Sequence, residues 1–322
     1  MRRFILRRLL HGVAVIFIAT TLSFFLVHLA PGDPFSSSLE SLATDPRVLA
    51  ARRAAYGLDR PLAEQYVRFL TRLVTGDLGP SILAAGPAED ALAAAIPNTL
   101  VLMGTALALG LIAGVALGAW QAMRVGSRAD RAVDTASLVV ASLPEFWLGL
   151  LLLLLLAGKF RLFPTGGATD YMHDLMSPGE RIVDRLRHLA LPALTLALLS
   201  AASIARYQRA ALLDVLPQDY VRTARAKGVG ERQLVWRHAL RNALVPTIVL
   251  VGLSLPALLG GAVFVERVFA WPGMGRLAAD AYDARDYPIV LGATLVGTAL
   301  VTIGGIATDV LHAIVDPRVR SR

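Results

Sequence analysis

Long apolar runs separated by polar stretches dominate the chain. Six of them can each cross about 30 Å of hydrocarbon as a helix, which takes roughly 20 apolar residues apiece. They fall near Leu9 to Ala30, Thr99 to Met123, Thr135 to Ala157, Leu189 to Ala205, Ala243 to Val263 and Ile289 to Ile314, the fourth being the shortest. Segments that alternate apolar and polar residues in the manner of a membrane barrel do not occur. The pattern therefore predicts an all-α fold, a polytopic membrane protein with six transmembrane helices. The opening MRRFILRR has the basic flank of a secretory signal, yet the apolar run after it is longer than a signal core and no small-x-small cleavage site follows. That run is expected to stay as the first helix.

Composition agrees with the pattern. With 322 residues, 55% hydrophobic and 17% charged, and a mean hydropathy of +0.58, the chain is too apolar for a soluble domain and too long for a single anchor. Of its 32 Lys and Arg residues, 18 lie in segments 1–8, 124–134, 206–242 and 315–322, which together carry a net charge of +12. The intervening polar segments 31–98, 158–188 and 264–288 are longer and carry a net charge of −2. The positive-inside bias places both termini and the 206–242 loop in the cytoplasm. The basic pI then reflects this asymmetry across the membrane, and nucleic acid is not expected as a partner. Cysteine is absent, which excludes disulfides, thiolate nucleophiles and sulfur-ligated metals.

The least explained polar segment runs from Asp219 to Pro246. Pro217 stops the preceding helix, Gln218 and Asp219 can open a new one, and Gly228 and Gly230 bracket Val229 where a chain reversal needs permissive backbone. The expectation is helix, turn, helix. Arg222 and Arg225 share a face of the first helix, Lys227 ends it, and Arg237 and Arg241 sit beside Leu234 and Trp236 on the second. Attraction to anionic lipid, about 1 kcal/mol per cation, explains the charge. It does not explain two glycines at the bend or the small residues Ala224 and Ala226 beside them, which leave a low tip for a partner protein to close over.

This segment resembles the permease subunits of binding-protein-dependent ABC importers, in the dipeptide, oligopeptide and nickel branch. Their general signature is Glu-Ala-Ala, three residues, Gly, nine residues and Ile-x-Leu-Pro. Registered on Gly228, this chain keeps Ala224, Gly228 and Leu240 and has Arg222, Thr223, His238 and Arg241 at the other places. The form typical of peptide permeases is closer, as in DYVRTARAKG from Asp219 to Gly228 and HALRNAL with Pro from His238 to Pro246. The same branch is matched by PGDP at Pro31 to Pro34, YGLDRPL at Tyr56 to Leu62, GDLG at Gly76 to Gly79, LPEFWLG at Leu143 to Gly149, LPALTLAL at Leu191 to Leu198, the run from Gly261 to PGMG at Pro272 to Gly275, and DPR at Asp316 to Arg318.

The resemblance implies the type I importer permease fold, and a division of labour. A second homologous permease would form a heterodimer with this chain, two cytoplasmic ABC ATPases would bind ATP and Mg, and an extracytoplasmic solute-binding protein would deliver the cargo. The implied segments are 1–30, a cytoplasmic tail with the first helix; 31–96, an extracytoplasmic cap of small helices; 97–314, the permease core with its coupling loop 206–242; and 315–322, a cytoplasmic tail. The implied coupling helix, seated in a cleft of one ATPase, comprises Asp219, Tyr220, Arg222, Thr223, Ala224, Arg225, Ala226, Lys227, Gly228 and Val229. The location implied is the cytoplasmic membrane of a bacterium or archaeon, in contact with lipid. This chain itself is expected to bind no cofactor and to be no enzyme, because its only two lysines, Lys159 and Lys227, are followed by Phe160 and Gly228 and cannot complete a phosphate-binding loop. Dipeptides, longer peptides, nickel chelates and glutathione are all handled by this branch.

Isolated residues add less. Glu145, near the middle of the third span and preceded by Pro144, is a possible translocation-pathway residue, against a structural place nearer the outer boundary. Asp309 is expected in a structural salt bridge, and Glu266 and Asp286 as solvated charges of an outer loop. The six histidines show no metal spacing. Gly260, Gly261, Gly304 and Gly305 are expected to let helices pack closely. Other classes fare worse. A proton-coupled secondary transporter calls for inverted repeats, a membrane protease for a paired catalytic set, and a DNA-binding sensor for a helix-turn-helix free of tethering spans.

Overall fold

The computed structural model describes residues 2–31, 35, 45–84 and 86–315, with side chains at 2–5, 46, 251, 253–261 and 310–315 outside the described set. Gly32, Asp33 and Pro34 of the PGDP motif, the DPR motif and the segment 316–322 lie outside the described residues. The helices are α1 (Arg2–Leu29), α2 (Pro46–Ala55), α3 (Leu62–Thr75), α4 (Ala88–Ala122), α5 (Arg128–Ser142), α6 (Glu145–Leu152), α7 (Pro178–Val215), α8 (Asp219–Ala226), α9 (Glu231–Gln233), α10 (Leu240–Gly261), α11 (Val263–Val268), α12 (Met274–Asp283) and α13 (Tyr287–Val315). Two π-helical runs, Leu153–Lys159 and Leu234–Ala239, extend α6 and lead into α10. Among the described residues there is no strand beyond a single bridge of Pro80 to Pro87.

Four helices are long and apolar enough to cross a membrane, and a fifth span results if α5 and the α6 run are taken together. The fifth expected span, Ala243 to Val263, falls on the 22-residue α10, which is not among those helices. Two expectations are corrected. The fourth span, expected as the shortest, is part of the 38-residue α7. Ser177 begins it with a full capping box to Glu180 and Pro178 occupies the first turn, so helix starts well before the apolar window. The third is not one straight rod, because α5 and the α6 run meet at 106°. Pro144 is the cause: it forces Leu143 into extended backbone, φ −79° and ψ 137°, and ends α5.

The chain divides into two compact units, residues 1–99 with 272–303 and residues 100–271 with 304–322. In the first, Leu92, Ala95, Met274 and Ala293 form one buried cluster and Ala88, Ala281 and Ile289 another. Helix α3 lies on α1 through Phe69 stacked on Phe24 and a Tyr66 hydroxyl 2.9 Å from the Thr21 hydroxyl. Tyr56 donates to the Ser81 carbonyl at 3.3 Å, and burial raises its pKa above the ordinary tyrosine value, which keeps it a donor. Asp286 is fully buried where α13 begins. Its carboxylate accepts the Ser81 hydroxyl (2.5 Å) and the amides of Ile82 (2.6 Å), Leu83 (2.8 Å) and Ile289 (3.3 Å). It is a brace between loop and helix, not the solvated charge expected.

In the second unit, one apolar cluster joins Leu102, Leu191, Leu196, Val265 and Phe269, and another gathers the chain around α8. Glu266, also expected in solvent, is fully buried in α11. The loop before α7 is held by Asp184, whose carboxylate accepts the Asp170 amide at 3.0 Å and lies 2.7 Å from His173 Nδ1. Among the described residues, close helix approach rests on glycines beyond those anticipated. Gly110, Gly114 and Gly118 of α4 face α7 at successive turns, and a Cβ on Gly118 would sit 2.5 Å from the Ala205 carbonyl oxygen. A Cβ on Gly305 would meet nothing within 4 Å. Gly304 is buried beside Thr308, whose hydroxyl donates to its carbonyl at 2.8 Å and to that of Gly252. The surroundings of Gly260 and Gly261 lie outside the described side chains.

Candidate coupling site

The segment after α7 folds as an elbow. Pro217 and Gln218 break α7, and α8 runs for eight residues from Asp219 to Ala226. Its end is closed entirely by main chain. The Gly228 amide bonds to the Arg225 carbonyl (3.0 Å) and the Val229 amide reaches back to the Ala224 carbonyl (3.3 Å), the paired bonds of a Schellman cap. That cap needs a left-handed residue, and Gly228 supplies it at φ +83°.

One side chain fastens α8 to the body. Val221 is fully buried among Ala119 and Ala122 of α4, Leu212 and Val215 of α7, Leu234, Val235 and Ala239 of the π run, and Leu240 and Ala243 of α10. Ala224 and Val229 pack at its edge. Val221 is absent from the expected site residues, although an apolar position inside a cationic eight-residue helix is a legible sign of an inward face.

The opposite face is polar and exposed. Asp219, Arg222, Thr223, Arg225, Ala226, Lys227 and Gly228 all face solvent. Arg222 lies 3.9 Å from Asp219, and Thr223 donates to the Asp219 carbonyl at 2.8 Å. Arg225 is tied across the turn to Glu231 by two hydrogen bonds of 2.6 and 3.2 Å. Those bonds and the charge of Glu231 raise the Arg225 pKa above its ordinary high value, so the guanidinium keeps its charge. Tyr220 accepts a 2.7 Å hydrogen bond from Asn242 Nδ2, joining α8 to α10.

The second arm differs from the short helix expected. After α9 the chain winds as a π helix and continues into α10 without a break. The reason is in the spacing. Leu234 and Val235 are buried, and the next buried pair, Ala239 and Leu240, follows after five residues. An α-turn of 3.6 residues would rotate one pair off the core, whereas the wider π turn keeps both in it. Trp236, Arg237 and Arg241 are left outside.

The root of the elbow is braced by polar contacts that sequence motifs did not reveal. Arg209 of α7 makes two 2.8 Å hydrogen bonds to the buried Asp130 of α5. Asp130 also accepts the Gly126 amide at 3.0 Å, and its own amide bonds to the N-cap Ser127. A Ser followed by an acid three residues later at a predicted helix start is a detectable cap, but the distant arginine is not.

Glu145 is half-buried in the first turn of α6, at the 106° break. There its carboxylate suits the positive end of the helix dipole. Asp309 is half-buried on α13. Among the described residues no group of three or more His, Cys, Asp or Glu is arranged to hold a metal ion.

Residues 93–321 match the family model described as binding-protein-dependent transport system inner membrane component. Residues 1–87 match the model for the N-terminal part of such membrane components. The oligopeptide transport system permease protein AppB of Bacillus subtilis is 40% identical over 324 residues, 99% of each chain. The di/tripeptide permease protein DppB of Pseudomonas aeruginosa is 37% identical and the glutathione permease protein GsiC of Escherichia coli 37%, again over 99% of each chain. The elbow therefore belongs to a chain already shaped throughout like these transport components, and this protein is a member of the family of binding-protein-dependent transport system inner membrane components.

Proposed function

We propose that this chain is one of two homologous permeases in an ATP-driven importer that carries di- or oligopeptides across the cytoplasmic membrane of a bacterium or archaeon by alternating access. Six spans would cross the membrane, α10 supplying the fifth and α13 the sixth, with both termini and the elbow in the cytoplasm. Segment 31–96 would lie outside as a cap and 97–314 would form the core of the permease. Peptide cargo is supported by the oligopeptide and di/tripeptide relatives; the glutathione permease, as similar as the di/tripeptide one, makes glutathione the second reading.

The observation that carries this reading is the two-faced elbow. Its inner face is plugged into the helix bundle by Val221, and its outer face offers a compact polar surface with no apolar core of its own. A motor protein seated on Asp219 to Val229 would push a helix whose displacement passes directly to α7 and α10. ATP binding must favour one of two arrangements of the spans for such pushing to do work. Each partner contributes a distinct part: ATPases the energy, the second permease the other wall of the pathway, the binding protein the cargo.

Gly228→Val tests it. A β-branched residue cannot hold φ +83° without strain of about 1–2 kcal/mol, and the cap that shapes the seat would distort. The variant is expected to insert into the membrane normally and to lose both ATPase co-purification and ATP-dependent uptake. Undiminished uptake would overturn the reading.

A further inference from the structure

We infer that Gln208 is a positioning residue of transport: it clasps α10 to α7 at the root of the elbow, so that motion of α8 is delivered to both helices together. The inference rests on the importer reading above and concerns how this chain transmits the stroke.

Gln208 is fully buried on α7. Its Nε2 donates to the Ala243 carbonyl of α10 at 3.3 Å, and its Oε1 accepts from the Thr247 hydroxyl at 2.7 Å, so one amide grips one complete turn of α10. Thr247 is itself buried, at 1% exposure. A buried amide and a buried hydroxyl depend on one another, since an unsatisfied buried polar group costs about 1–3 kcal/mol.

The gripped turn lies beside two irregular points of the helix. On its N-terminal side is the π run Leu234–Ala239, whose bonding register is already one residue wide of the α pattern. On the same turn is Pro246, which has no amide hydrogen to give the Asn242 carbonyl. A push arriving from α8 through Val221 and the Tyr220–Asn242 contact enters α10 between these two irregular points. Without a clasp it would be absorbed locally by a change of helical register or bend. With it, α10 is held to a 38-residue helix that is also closely apposed to α4 at Gly118 and paired to α5 through Arg209. The neighbouring Arg209–Asp130 pair serves α5, whereas Gln208 adds to the apolar packing of α7 on α10 a polar contact that fixes one turn of α10.

The test uses the whole importer, with the second permease, both ATPases and the binding protein, in proteoliposomes. Gln208→Leu and Thr247→Val are compared with wild type and with Thr247→Ser, which keeps the hydroxyl. Two quantities are read: ATP hydrolysed per radiolabelled trialanine taken up, and the distance between spin labels at Tyr207→Cys and Ile248→Cys in this otherwise cysteine-free chain, with and without ATP. The expectation is that ATP used per trialanine rises about fivefold or more in Gln208→Leu and Thr247→Val, that the label distance becomes broad and nucleotide-dependent, and that Thr247→Ser behaves as wild type. If hydrolysis and uptake fall in proportion and the distance stays narrow and unchanged by ATP, Gln208 is only a packing residue and the inference is overturned. If the wild-type complex neither assembles with ATPases nor responds to ATP, the importer reading itself fails. A wild type that responds to ATP without carrying trialanine corrects the cargo, and the distances alone then decide the clasp.

Discussion

At the residue scale, buried polar side chains with several partners hold the places where helices end. Asp286 satisfies a hydroxyl and three amides at once. Asp286→Ala would leave these donors buried and unpaired, which costs on the order of 3 kcal/mol or more. The purified protein is expected to melt at a distinctly lower temperature, and an unchanged melting curve would show that the carboxylate contributes little. Such a residue is hard to read in one dimension. Asp286 sits in an ordinary acidic stretch of sequence, and its partners in the loop, Ser81, Ile82 and Leu83, are some 200 positions away. Gln208 was silent for the same reason, whereas Gly228 was legible because a glycine between a short helix and its reversal has a local cause.

Among elements, the α4–α7 seam makes a sharp comparison. Gly118→Ala would bring a methyl group within 2.5 Å of the Ala205 carbonyl oxygen, while at Gly104, on the same helix, a Cβ meets nothing within 4 Å. Overpacking of this kind costs about 1–3 kcal/mol. Gly118→Ala should lower the yield of folded protein in detergent, and Gly104→Ala should not; equal yields would refute the seam. The glycines recur every fourth residue, a pattern present in the sequence at Gly110, Gly114 and Gly118 and passed over in favour of glycine pairs elsewhere. Apolar runs located the spans well because length and hydrophobicity decide membrane insertion. They located span ends poorly, since α7 is prolonged by a capping box and α5 is cut by Pro144, and both effects act through a few polar or cyclic residues that hydropathy averages away. The elbow's first arm was readable from Pro217 and Gly228. Its second arm was not, because the π turn answers to a five-residue repeat of buried pairs.

For the whole molecule, the distribution of cations predicts which parts face the cytoplasm, and the absence of cysteine makes the prediction easy to check. A single Thr169→Cys should react with a membrane-impermeant thiol reagent in intact cells. Arg232→Cys, on the elbow, should react only once the membrane is opened or inverted. The reverse pattern would invert the proposed topology and remove the elbow from reach of any cytoplasmic motor. The elbow's turn has one more consequence. Its shape is written in main-chain hydrogen bonds, a single glycine and one inward valine. The outward side chains other than Tyr220 and the Arg225–Glu231 pair are consequently open to exchange without refolding the scaffold, so chimeras that swap only those side chains offer a direct route to fitting this transporter with a foreign engine.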